Sequence, residues 1–146
     1  MRHITPKGID LIKRFEGAEA HIYEDAAGYP TIGYGHLLRV GEAEFFAKGI
    51  SHEDAEALLI KDVQVAERAV LRYISVPLTD GQFDALVSFT FNLGSGALQR
   101  STLRQKVNRA EHSDASIEFL RWIYAGGRKL RGLIKRRQAE IFLYLP

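Results

Sequence analysis

The sequence contains no cysteine. That absence excludes a disulfide framework, thiolate zinc sites and cysteine nucleophiles, and it fits synthesis in a reducing cytoplasm. No stretch approaches the roughly 18–20 consecutive apolar residues of a membrane span. The N-terminal run MRHITPKGIDLIKRFEG is interrupted by Lys7, Asp10, Lys13 and Arg14, so neither a signal peptide nor a membrane anchor is expected. Common catalytic signatures are missing as well. His52-Glu53-Asp54-Ala55-Glu56 lacks the second histidine of HExxH. Gly94-Ser95-Gly96 is too short for a nucleophile elbow. GYGHLL lacks the third glycine of a dinucleotide loop, and no Walker A sequence occurs. The five histidines are scattered, so a metal site is not expected. There is no internal repeat and no low-complexity tract.

What remains is a chain of 146 residues, 46% of them hydrophobic, enough for one domain with a buried core. The net charge of +2 conceals an asymmetry. Residues 1–62 carry eleven acids and seven bases, for −4, whereas residues 119–146 carry seven bases against Glu140, for +6. A basic end suggests an anionic partner or simply a solvated helix face.

Local signals divide the chain. Thr5-Pro6 resembles an N-cap followed by proline at the first helical position. Ile9, Ile12 and Phe15 recur at helical spacing, and Gly17 can close that helix, leaving Glu16 in its last turn. Ile22, Tyr23, Tyr29, Thr31, Ile32 and Tyr34 favour strands punctuated by Gly28, Gly33 and Gly35. This predicts a small antiparallel sheet continuing unevenly to about residue 48. Ser51-His52-Glu53-Asp54 starts a helix expected over about 52–74, roughly 34 Å long. Asp62 is the one polar residue inside its apolar stripe. Thr79 to Gln82 forms a second capping box, Ser101 and Ser113 are candidate N-caps, and a last helix is expected after Gly132. The order predicts an α+β fold, mainly α, with strands confined to an early segment.

The candidate chemistry lies in carboxylates beside the glycine-rich strands, the alternative being that acids at a helix end and in a turn serve as solvated or capping groups. An acid closing an apolar helix and an acid in a wet turn are placed in environments that separate their protonation states. Glu16 and Asp25 form such a pair, and glycoside hydrolysis needs one acid to protonate the leaving oxygen and one base to activate water. Thr31 would set a hydroxyl on the adjacent strand, able to hold a water against Asp25.

Glu16, eight residues, Asp25, five residues and Thr31, followed by IGYGH, resembles the phage-type lysozymes, glycoside hydrolase family 24. PLTDGQFDALVSFTFNLGSGAL, STLRQKVN and FLRWIYAGGRKLRGLIKRRQAEIFLY are similar to that family's C-terminal lobe, so the resemblance covers nearly the whole chain. It implies a two-lobed lysozyme-like fold: a small sheet-containing lobe over about 17–50, an interlobe helix over 52–74 and a helical lobe over 78–146. It also implies a single-domain phage or prophage endolysin, with Glu16 as general acid and Asp25 and Thr31 positioning the attacking water. The substrate would be the β-1,4 bond between N-acetylmuramic acid and N-acetylglucosamine of peptidoglycan. No cofactor or metal is implied.

Substrate-binding candidates are Tyr34, Leu38, Phe91, Asn92, Arg128 and Arg131. Tyr34 stacks on a sugar or packs, with packing favoured. Leu38, with Leu37, is expected to line the hinge between lobes. By resemblance Asn92 falls at a polar sugar-binding position; as a residue it equally suits a helix end ahead of Gly94. Arg128, Lys129 and Arg131 suit the lactyl-peptide carboxylates. His36 is expected to be a structural histidine paired with a carboxylate, and Trp122 a core residue on a helix face. The partners expected are peptidoglycan and, functionally, a holin that lets a monomeric enzyme pass from the host cytoplasm to the wall. Neither nucleic-acid binding nor membrane insertion is expected. A lytic transglycosylase on the same fold would use Glu16 without Asp25 and Thr31. A basic nucleic-acid-binding module is the remote alternative, disfavoured by the acidic first half.

Overall fold

The computed structural model describes residues 1–146. Helix α1 spans Pro6–Glu16. It starts where proline's missing N–H costs nothing. It stops because Gly17 takes φ 68° and returns its N–H to the Lys13 carbonyl at 2.9 Å. Strands β1 (Glu19–Glu24), β2 (Pro30–Gly33) and β3 (His36–Leu37) form an antiparallel sheet in that order. Tyr23 faces Thr31 across β1–β2, and Ile32 faces His36 across β2–β3. After the short α2 (Glu42–Phe45), helix α3 runs over His52–Tyr73, opened by the Ser51 hydroxyl accepting the Asp54 N–H at 3.1 Å.

The helical remainder comprises α4 (Asp80–Leu93), α5 (Ser95–Arg100), α6 (Thr102–Asn108), α7 (His112–Glu118), a 3-10 turn over Phe119–Arg121, and α8 (Arg131–Tyr144). The capping box at α4 is complete: Thr79 accepts the Gln82 N–H, and the Gln82 side chain accepts the Thr79 N–H. Three features depart from the sequence-based expectation. A second hairpin, β4 (Tyr124–Ala125) with β5 (Arg128–Lys129), lies in the C-terminal half, so strands are not confined to the early segment. Ser113 sits inside the first turn of α7, because Glu111 occupies the N-cap. Trp122 follows the 3-10 turn rather than lying on a helix face, and it packs edge-on against Phe89 at 5.5 Å.

The chain divides into two compact units, Ile12–Val63 and Met1–Leu11 with Gln64–Pro146. The division falls within α1 and within α3. The first unit buries Ile12, Ile32, Phe46, Ala55, Leu59 and Val63. His36, buried among them, places Nδ1 2.6 Å from Asp62 and Nε2 3.1 Å from Glu42, which accounts for Asp62 in the α3 stripe; Glu67, buried on the same helix, is a second acid there that the sequence pattern did not single out. The second unit buries nearly all of α4 from Gln82 to Thr90, with Leu98, Leu103, Val107, Phe119 and Tyr144. Two buried acids hold its N-terminal residues. Glu67 accepts the Ile4 N–H at 2.6 Å, and Asp84 accepts the Thr5 N–H at 2.9 Å and the Thr5 hydroxyl. Burial pushes the Asp84 carboxyl above its ordinary pKa.

The basic run of α8 is not one solvated face. Arg136 and Arg137 are buried, and Arg137 Nε stands 2.8 Å from the equally buried Glu140. Only Lys135 of that trio is exposed. No helix is long and apolar enough to cross a membrane.

Candidate active site

Glu16, Asp25 and Thr31 all lie in the unit Ile12–Val63. Glu16 is the last residue of α1 and half-buried. Its carboxylate rests against Gly35: a Cβ at that position would stand 3.0 Å from Oε1, and Gly35 has φ 79°. A residue with a side chain there would be strained and would press on the acid.

Asp25 and Thr31 are joined through the main chain of Tyr29. The Tyr29 N–H donates to Asp25 Oδ1 at 2.8 Å, and the Tyr29 carbonyl accepts the Asp25 N–H at 2.9 Å and the Thr31 hydroxyl at 3.0 Å. Ala27 donates a further N–H to Asp25 Oδ1 at 2.9 Å, and Gly28 donates to the Asp25 carbonyl at 2.9 Å. One oxygen of Asp25 is thus anchored by two amides, while Oδ2 accepts nothing from the chain. The Thr31 proton is committed to Tyr29, so its hydroxyl oxygen presents lone pairs. A carboxylate oxygen and a hydroxyl acceptor fixed by the main chain of one residue are suited to holding a water by its two protons.

Tyr23 links this group to Glu16. Its phenol is raised above its ordinary pKa by burial and then by the negative charges of Glu16, Glu19 and Asp25. It is also the cross-strand partner of Thr31. Neither Tyr23 nor the Tyr29 main chain was singled out from sequence. The available signal was strand register: a hairpin turning between Asp25 and Tyr29 sets residue 23 opposite residue 31.

The other candidates are placed as follows. Tyr34 is buried and edge-on to His52 at 6.4 Å, in line with packing. Leu38 is half-buried, its N–H bonded to the Pro30 carbonyl at 3.0 Å. Phe91 and Asn92 occupy the last turn of α4, half-buried; Asn92 is inside the helix, and Gly94 caps it. Arg128 on β5 and Arg131 at the start of α8 are exposed. The last four belong to the unit containing Gln64–Pro146.

Comparison with known proteins identifies the family. The phage lysozyme family profile matches residues 13–140. The chain is 43% identical over 148 residues to the endolysin of Acyrthosiphon pisum secondary endosymbiont phage 1, covering 97% of each. It is 44% identical over 145 residues to the endolysin of Bacillus phage B103, covering 98% of this chain and 54% of that protein, about half its length. Its fold superposes on the muramidase domain of SpmX from Asticaccaulis excentricus with a TM-score of 0.87 at 37% identity, covering 99% of both chains. Matches of this extent define a glycoside hydrolase. The chain belongs to the phage lysozyme family.

Proposed function

We propose that the chain cleaves the β-1,4 bond between N-acetylmuramic acid and N-acetylglucosamine in bacterial peptidoglycan, with Glu16 as general acid and Asp25 and Thr31 holding the attacking water. Glu16 gives its proton to the departing glycosidic oxygen. Water adds its oxygen to the anomeric carbon, and its proton passes to Asp25. The product is a reducing sugar formed with inversion at that carbon. The observation that carries this reading is the Tyr29 main chain, which ties Asp25 to Thr31 while leaving one acceptor on each unclaimed by the chain. Arg128 and Arg131, exposed beside Lys129, suit the carboxylates of the wall peptide. Asn92 is assigned to the glycan by resemblance, with Leu38 and Phe91 as further candidate contacts, while Tyr34 packs against His52. The enzyme accumulates as a monomer in the host cytoplasm and reaches the wall, where it acts, after a holin permeabilises the inner membrane.

Purified peptidoglycan and mass spectrometry of the released fragments test the chemistry. Hydrolysis gives reducing N-acetylmuramic acid ends, and Glu16→Gln lowers turnover by at least about 10²–10⁴ while the fold survives. Asp25→Asn and Thr31→Val each lower turnover without greatly weakening glycan binding. Predominantly 1,6-anhydro ends, lighter by one water, would establish transglycosylation instead. Full activity of a folded Glu16→Gln variant would remove the assigned acid.

A further inference from the structure

Arg137 is wholly buried, and so is its counter-ion Glu140. Glu140 also accepts the Ser88 hydroxyl at 2.6 Å. The guanidinium lies 5.4 Å from the centre of the Phe89 ring. Its Nη1 is buried without a hydrogen-bond partner, an arrangement poorly suited to stability alone. Its Nη2 donates to Asn92 Oδ1 at 2.6 Å, reaching from α8 to the last turn of α4. That distance marks a strong, charge-assisted hydrogen bond.

The chemistry of this contact is one-directional. A guanidinium only donates, whereas a carboxamide has one end that accepts and one that donates. Arg137 therefore selects which end of Asn92 turns inward. The oxygen is turned inward and held by Nη2. The Nδ2 group makes no hydrogen bond within the chain, and Asn92 is half-exposed. A free asparagine would offer either end to a ligand; this one offers N–H alone.

We infer that Arg137 is a positioning residue that locks Asn92 as a hydrogen-bond donor for a carbonyl oxygen of the ligand. Resting on the reading of Asn92 as a sugar contact, that oxygen is the N-acetyl carbonyl of a glycan residue. The pair thus acts as a specificity device: it turns a donor toward an acetamido group and keeps its oxygen turned away, beside a guanidinium, from the ammonium left when the acetyl group is removed. Neither residue takes part in proton transfer.

The test compares KM on native peptidoglycan with KM on the same polymer after chemical de-N-acetylation. Asn92→Asp keeps an acceptor for Arg137, so the fold is retained, but it replaces the outward donor by a carboxylate oxygen. The wild-type preference for the acetylated polymer should fall at least about fivefold, the value of one lost hydrogen bond, and further as the carboxylate attracts the exposed ammonium. Arg137→Lys preserves the charge facing Glu140 but not the fork. It should weaken the same preference with Asn92 intact, while thermal melts report its folding separately. A merely structural Arg137 would change melting temperature and leave the ratio of the two KM values alone. A wild-type ratio in folded Asn92→Asp or in folded Arg137→Lys overturns the inference. If the wild-type chain cleaves neither polymer, the glycosidase reading falls, and this inference with it. If it cleaves both and only the ratio fails to respond, the fault lies with the Asn92–Arg137 assignment.

Discussion

Replacing Gly35 by alanine separates the cost of backbone strain from the cost of moving the assigned acid. Gly35 has φ 79°, where an L residue with a Cβ loses about 1–2 kcal/mol. For a chain of this size that corresponds to a fall in Tm of roughly 3–8 °C. The new Cβ would also stand 3.0 Å from Glu16 Oε1. Ordinary contact lies about 0.5 Å further out, so the carboxylate must retreat by about that much. A misplacement of about 1 Å costs on the order of 10² in rate, so half of it costs about tenfold. Gly41 supplies the control. It has φ 88°, and a Cβ there would meet nothing within 4 Å. Gly41→Ala should lose similar stability and keep its kcat, whereas Gly35→Ala should lose both. Turnover on purified peptidoglycan under saturating conditions, with calorimetry on the same preparations, distinguishes them. Equal kcat values for the two variants would refute the claim that Gly35 is small in order to seat Glu16.

The buried charges of α8 make a contrasting pair. Arg137→Met should cost about 3 kcal/mol in denaturant unfolding by leaving buried Glu140 with only the more distant Arg136, at 3.5 Å, and the Ser88 hydroxyl, and Lys135→Gln, at an exposed position, should stay within about 0.5 kcal/mol. Glu42 is held below its ordinary pKa, first by the Arg39 N–H and then by His36, against a smaller opposing effect of burial. A lowered folded pKa means its stabilisation is complete above the ordinary value of 4.5 and fades as pH falls toward the folded value. The stability advantage of the wild type over Glu42→Gln should therefore shrink as unfolding is repeated at progressively lower pH below 4.5. If the exposed bases capture the anionic wall, replacing Arg128, Lys129 and Arg131 with glutamine should flatten the decline of lytic activity with salt, since screening sets in over about 10 Å at 0.1 M. An unchanged salt profile would assign those charges to solvation alone.

Punctuation made much of the helical framework legible. Pro6, Gly17, Ser51, Thr79 with Gln82, and Ser101 each carry their structural meaning in their own side chain or in its absence. The spacing of Glu16, Asp25 and Thr31 was equally visible, because a helix end and a hairpin turn are local. What was not visible depends on pairing across the chain. Tyr124-Ala125 and Arg128-Lys129 are too short to alternate, so only Gly126-Gly127 hinted at the second hairpin. Arg136 and Arg137 looked like part of a solvated run, since a charge run does not disclose which face is covered. Glu140, three and four residues on, was the available clue. The Tyr29 main chain could not be singled out from composition at all, since any residue type supplies the same N–H and carbonyl.

The unit formed by Met1–Leu11 and Gln64–Pro146 has consequences for the order of events during synthesis. Arg2, Ile4 and Thr5 are synthesised well before their partners Asp80, Glu67 and Asp84, which lie between 63 and 79 positions later. The continuous segment Ile12–Val63 has its whole complement of internal partners much earlier. The N-terminal residues must wait, and their docking carries the loop-closure entropy of long sequence separation. Until residues 4 and 5 dock, Glu67 and Asp84 cannot be buried without stranded carboxylates, so closure of the helical core around them waits on that docking. A nascent chain should thus acquire its sheet before residues 2–5 are protected from proteolysis, and a circular permutant that breaks the chain before Ile12 should alter the rate of folding more than its end point.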